Sequence, residues 1–93
     1  MTLPANTMNF LKDRMNEAHE IVDAKKSIYD DACRAEEDAL INWEMADFLK
    51  TPECELKATY YLARSKRLSA YVDVQEALMT FEASIRRLKE RIQ

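Results

Sequence analysis

Not one of the 93 residues is glycine, and the chain carries two prolines, Pro4 and Pro52. Tight β-hairpins lean on glycine for positive φ, so a β-rich fold would have to turn without its usual turn residue. The same absence removes every glycine-dependent chemistry: the phosphate-cradling loop, the dinucleotide fingerprint and the nucleophile elbow. With hydrophobic residues at 47% and charged ones at 33%, the chain has the balance of a folded domain rather than a disordered tail. A single all-α domain over residues 1–93, with few bends, is the expectation.

Hydrophobic spacing gives that expectation its shape. From Met8, steps of three and four visit Leu11, Met15, Ala18, Val22, Lys25, Tyr29, Ala32, Glu36, Ala39, Trp43 and Ala46. Only Lys25 and Glu36 are polar, a seam of the coiled-coil kind sustained over a helix of about 7–49. A second seam reads Tyr60, Arg64, Arg67, Tyr71, Val74, Leu78, Phe81, Ile85, Leu88 and Ile92, on a helix of about 52–92. Between them lies Thr51-Pro52-Glu53. Threonine suits a helix cap, proline suits the first helical position and opposes helix in the residue before it, and Glu53 and Glu55 suit the first turn.

Two helices of similar length around a hinge at 50–52 predict an antiparallel helical hairpin. Folding there pairs residues whose numbers total 103, which sets Leu11 against Ile92, Val22 against Phe81, Ala32 against Tyr71 and Trp43 against Tyr60. Several layers then set a large side chain against a small one, as a packed core requires. Glu36 falls opposite Arg67, and Arg64 falls opposite Ala39 with room to reach Glu36. Glu36, Arg64 and Arg67 are therefore expected to form a structural ion-pair layer that fixes register.

Apolar residues outnumber the seam positions. Ile21, Ile28, Ala35 and Leu49 repeat every seven beside the first seam, and Leu40, Ile41, Met45 and Phe48 cluster toward the hinge with Leu56, Tyr61, Leu62 and Leu68. A two-helix hairpin cannot cover them all, so dimerisation into a four-helix bundle is expected. Ile41, Met45, Phe48, Leu49, Tyr61, Leu62 and Leu68 are the expected interface residues, open to a second copy or to another protein.

Catalytic and metal chemistry finds little footing. His19 is the only histidine, and Asn16 stands where a carboxylate-bridged metal site needs glutamate. Cys33 and Cys54 form no Cys-x-x-Cys pair, and neither has a plausible histidine base. No catalytic residue, cofactor or metal is expected. Trp43 and the chain length are similar to small secreted helical hairpins with a Trp-x-Gly turn, but Trp43-Glu44-Met45 lacks the glycine.

Lys and Arg number 14 against 17 Asp and Glu, a net charge of −3 with a pI near 5.2. That balance disfavours nucleic acid, which takes most of its affinity from a basic face. Met1–Thr7 has neither the basic region nor the apolar run of a secretory signal, and no stretch is long enough for a membrane span. A cytoplasmic chain with free thiols is expected. The expected function is protein–protein interaction, non-enzymatic, by binding or inhibiting another cytoplasmic protein. Small helical accessory factors, including phage or prophage proteins that block a host machine, offer an analogy. The alternatives are a nucleic-acid-associated factor using Arg64, Lys66, Arg67 and the run Arg86, Arg87, Lys89 and Arg91, or a purely structural homo-oligomeric coiled coil.

Overall fold

A computed structural model describes residues 5–92; the side chains of Leu49 and Ile92 lie outside the described residues. The described chain is helical almost throughout. Helix α1 covers Ala5–Glu44, the short α2 covers Ala46–Leu49 and α3 covers Glu53–Ile92, with no strand among the described residues. The two long helices pack against each other as a helical hairpin. By internal contacts the chain divides into two units, one made of residues up to Lys26 and from Asp73 onward, the other Ser27–Val72.

In Ser27–Val72 the helices run antiparallel: Tyr29 meets Tyr71, Glu36 meets Arg67 and Trp43 meets Tyr60. The last two pairs have numbers that total 103. The Ala32–Tyr71 layer takes another form, because Tyr71 is exposed and places its ring 5.9 Å from that of Tyr29. Ala39 and Ala70 are the buried apolar residues of this unit. In the other unit Ala18, Val22, Val74 and Ala77 are buried, and the His19 ring stands edge-on to Phe81 at 5.2 Å.

Burial along α1 follows the expected seam. All twelve positions from Met8 to Ala46 are buried or half-buried, and Cys33 joins them. On α3 the expected seam holds at Tyr60, Arg67, Val74, Leu78, Phe81, Ile85 and Leu88, all buried or half-buried, but Ala63 and Ala70 take the inward places expected for Arg64 and Tyr71, which are exposed. Two helices that pack only on each other bury a narrow strip, and close approach of their backbones favours small residues there. Arg64 and Tyr71, one step on, are turned by about 100° toward solvent.

The chain reverses in two steps. Residue Met45 (φ −99°, ψ 21°) departs from helix; its amide still bonds the Ile41 carbonyl at 3.0 Å, and its own carbonyl accepts from Phe48 at 3.0 Å, a tighter turn. Lys50 then adopts the left-handed conformation, φ 55° and ψ 19°, the position that helix ends usually give to glycine. Beyond it the Pro52 carbonyl accepts from Glu55 and Leu56, at 3.0 and 3.3 Å, and opens α3. Glu53 and Glu55 occupy the first turn of α3, Lys89 and Arg91 the last, each favourable to the helix dipole. So α1 closes at Glu44 rather than 49, and a four-residue helix fills the approach to the hinge.

No described helix is long and apolar enough to cross a membrane.

Candidate functional site

The centre of Ser27–Val72 is a polar layer inside the seam. Arg67 donates through Nε to the Glu36 carboxylate, with 26% and 16% of the two side chains exposed. Glu36 holds the guanidinium above its usual value, and partial desolvation works against it. Two turns earlier on α1 the Tyr29 phenol is raised above its usual value, first by its hydrogen-bond partner Cys33 and then by the charge a Cys33 thiolate would bring; Arg67 acts in the opposite sense. Arg64 is exposed and makes no ion pair among the described residues. The layer is thus Glu36 with Arg67 alone, because Ala63 rather than Arg64 takes the inward position on α3.

Toward the hinge stands an aromatic cluster. The Trp43 ring lies 5.6 Å from Tyr60 and 6.2 Å from Tyr61, and its Nε1 donates to Glu53 Oε1 at 3.3 Å. The Lys57 ammonium sits 5.9 Å from the ring centroid, within cation–π range. Trp43, Leu40, Glu44 and Glu53 line an open hollow on this flank. The sequence sets Trp43 against Tyr60 and Glu53 in the first turn of α3; the contacts of Lys57 and Glu53 with Trp43 come from the structure. Both lie within one turn of Tyr60 or the hinge, which is the signal that would have found them.

The opposite flank is a shallow groove of about 270 Å³, floored by Ala32, Ala35, Ala39 and Ala63 and bounded by Thr59, Leu62 and Lys66. Successive residues on a helix diverge by 100°, so Tyr61 joins the Trp43 cluster while Leu62 joins the groove.

Ile41, Met45, Phe48, Tyr61, Leu62 and Leu68 are all exposed, Phe48 by 81% and Leu62 by 59%. Leu49, expected with them, has its side chain outside the described residues. Ile41 ends the last hydrogen-bonded turn of α1, Met45 forms the break and Phe48 belongs to α2. The structure therefore gathers Ile41, Met45 and Phe48 at the approach to the hinge and splits Tyr61 from Leu62. Leu40, Tyr71, Val72 and Ile28 add further exposed apolar surface in the same unit.

Cys33 is half-buried and Cys54 exposed, both free thiols. His19 is exposed beside Asp23, 3.5 Å away. Among the described residues no group of three or more His, Cys, Asp or Glu side chains is placed to hold a metal ion. Of the C-terminal cations, Arg87 lines a hollow with Arg14, Glu17 and Ile21 in its own unit.

No protein family, no curated protein and no solved structure matches the chain.

Proposed function

We propose that this chain is a non-enzymatic protein–protein interaction module whose contact residues are the exposed apolar side chains near the hinge. One observation supports the reading above the rest. Once the hairpin has formed, Ile41, Met45, Phe48, Tyr61, Leu62 and Leu68 are still in water, and burying a Leu, Ile or Phe is worth about 1.5–3 kcal/mol. Exposed apolar surface gathered as at Ile41, Met45 and Phe48 marks a site of association. The first association expected is with itself, as a four-helix bundle, and the same surface can serve to bind or inhibit another protein in the cytoplasm, where free thiols such as Cys33 and Cys54 persist.

The nucleic-acid alternative has less to draw on, because Arg67 is already engaged by Glu36 and the chain as a whole is acidic.

Light scattering on a size-exclusion column, over a tenfold range of concentration, tests the reading. Changing Phe48→Asp or Leu62→Asp should weaken association by about thirtyfold or more, since each loses about 2 kcal/mol of burial, while circular dichroism keeps its helical signal. Association that survives both changes would move the contact away from these residues.

A further inference from the structure

Resting on the self-association in that reading but not on its hinge-end residues, a finer arrangement follows from one face of Ser27–Val72. Each residue that follows a seam position on α1 is turned about 100° from the seam. From Cys33 to Glu44 the strip reads Cys33, Glu37, Leu40 and Glu44, which is apolar, acidic, apolar, acidic, and Asp30 and Asp47 follow seam positions at its two ends. On α3 Lys57, Tyr61, Arg64 and Leu68 likewise follow Leu56, Tyr60, Ala63 and Arg67. There the pattern is basic, apolar, basic, apolar. In an antiparallel pair, one step past the seam turns to the same side on both helices, so the two strips share one face. It is the face that carries Trp43, Tyr61 and Lys57. Cys33 is half-buried and the other strip residues are exposed. Glu37, Glu44, Lys57 and Arg64 make no ion pair among the described residues.

We propose that a second copy of the chain docks on this face, the α1 strip of each copy lying against the α3 strip of the other, with the two hinges at the same end. Laid antiparallel, the strips match layer by layer at residue numbers that total 101, about 3 Å along the axis from the register of Glu36 with Arg67 and within reach of these side chains. Cys33 meets the partner's Leu68, Glu37 the partner's Arg64, Leu40 the partner's Tyr61 and Glu44 the partner's Lys57. A two-fold axis along the helices produces every layer twice. Apolar and ionic layers alternate, so the contact is both adhesive and specific in register.

Charge selects this arrangement over its competitor. Residues 27–50 hold seven acidic and two basic side chains, residues 51–72 two acidic and four basic. A dimer with α1 against the partner's α1 and hinges at opposite ends would set Glu37 and Glu44 against more carboxylates. Like charges juxtaposed at an interface count against that pairing.

Charge swaps read the arrangement directly. In sedimentation equilibrium, Glu37→Arg and Arg64→Glu should each weaken dimerisation at least tenfold, and the double variant should recover to within about threefold of the parent. Single swaps without effect, or a double variant as weak as either single, would overturn the face. A parent chain that stays monomeric to millimolar concentration would overturn the second copy as occupant, leaving the surface to a different protein. Nitroxides on Cys54, in a Cys33→Ala background, report the hinges: a separation under about 30 Å is expected from helices packed 8–10 Å apart. Offset by most of a helix at 1.5 Å per residue, hinges at opposite ends would give about 40 Å or more and overturn the arrangement. If Phe48→Asp leaves the dimer whole while Glu37→Arg dissolves it, this arrangement stands and the hinge-end contact of the preceding section falls; the converse result sinks this one alone.

Discussion

Tyr29 is the residue whose surroundings say most about its proton. Cys33, one turn on along α1, favours the neutral phenol, and Arg67 from α3 favours the phenolate; the first prevails. A tyrosine raised above its ordinary value near 10 holds its proton more tightly folded than unfolded. Its contribution to stability is then complete below pH about 10 and is lost as pH rises through the raised value. Absorbance titration should show a phenol phase above the ordinary value that belongs to Tyr29. Tyr29→Phe should delete that phase, and Cys33→Ala should move it to lower pH; an unchanged late phase in both would exclude the pairing. Glu36 opposite Arg67 was legible in the sequence, because an acidic residue of one seam and a basic residue of the other fall at matching heights. Arg64 was misplaced by one step of 100°, since periodicity alone does not say whether Ala63 or Arg64 faces inward.

At the scale of elements, the reversal is made without glycine, and Lys50 bears the consequence. A residue with a Cβ in the left-handed region costs about 1–2 kcal/mol relative to right-handed helix, a penalty glycine escapes. Lys50→Gly should therefore stabilise the chain by about 0.5–1 kcal/mol, part of the gain being offset by the greater freedom of unfolded glycine. Urea denaturation gives the difference, and a loss of stability would show that the Lys50 side chain matters more than its backbone. The seam of α3 answers to packing rather than to side-chain size. Ala39 on α1 is 6% exposed, so a larger group there must part the helices or turn into the groove it floors with Ala63. Ala39→Leu should cost about 1–3 kcal/mol by overpacking, read by the same denaturation; a neutral or stabilising result would mean the helices part easily. The hinge at Thr51-Pro52 was plain from proline, but the break at Met45 was not. Nothing in Trp43-Glu44-Met45 forbids helix, and the break serves the turn's geometry, not a local preference.

Across the molecule, small residues are inside and large ones outside. The buried apolar residues described are four alanines and two valines, whereas Phe10, Phe48, Leu62 and Met79 are more than half exposed. A core of that kind lets two helices approach closely but removes little apolar area from water, and chains of this length are marginal when they stand alone. The stability of this protein is therefore expected to be linked to what covers its surface, and to rise with concentration if the cover is a second copy. Both the charge swaps at Glu37 and Arg64 and the Asp substitutions at Phe48 and Leu62 act at this scale, since none of the four lies in the seam.

By itself the sequence determined that the chain is helical, that it turns near Pro52 and which stripe of α1 faces inward, since these rest on local properties: absent glycine, proline stereochemistry and a 3–4 apolar period. It also carried the surplus of apolar residues, which is a matter of counting. Only tertiary structure decided which of two adjacent stripes on α3 meets α1, that Lys50 takes the left-handed turn, and that Tyr61 and Leu62 serve opposite flanks. Each of these depends on how closely two backbones approach and at what rotation, and helical periodicity leaves that rotation free by one residue until the partner helix is in place.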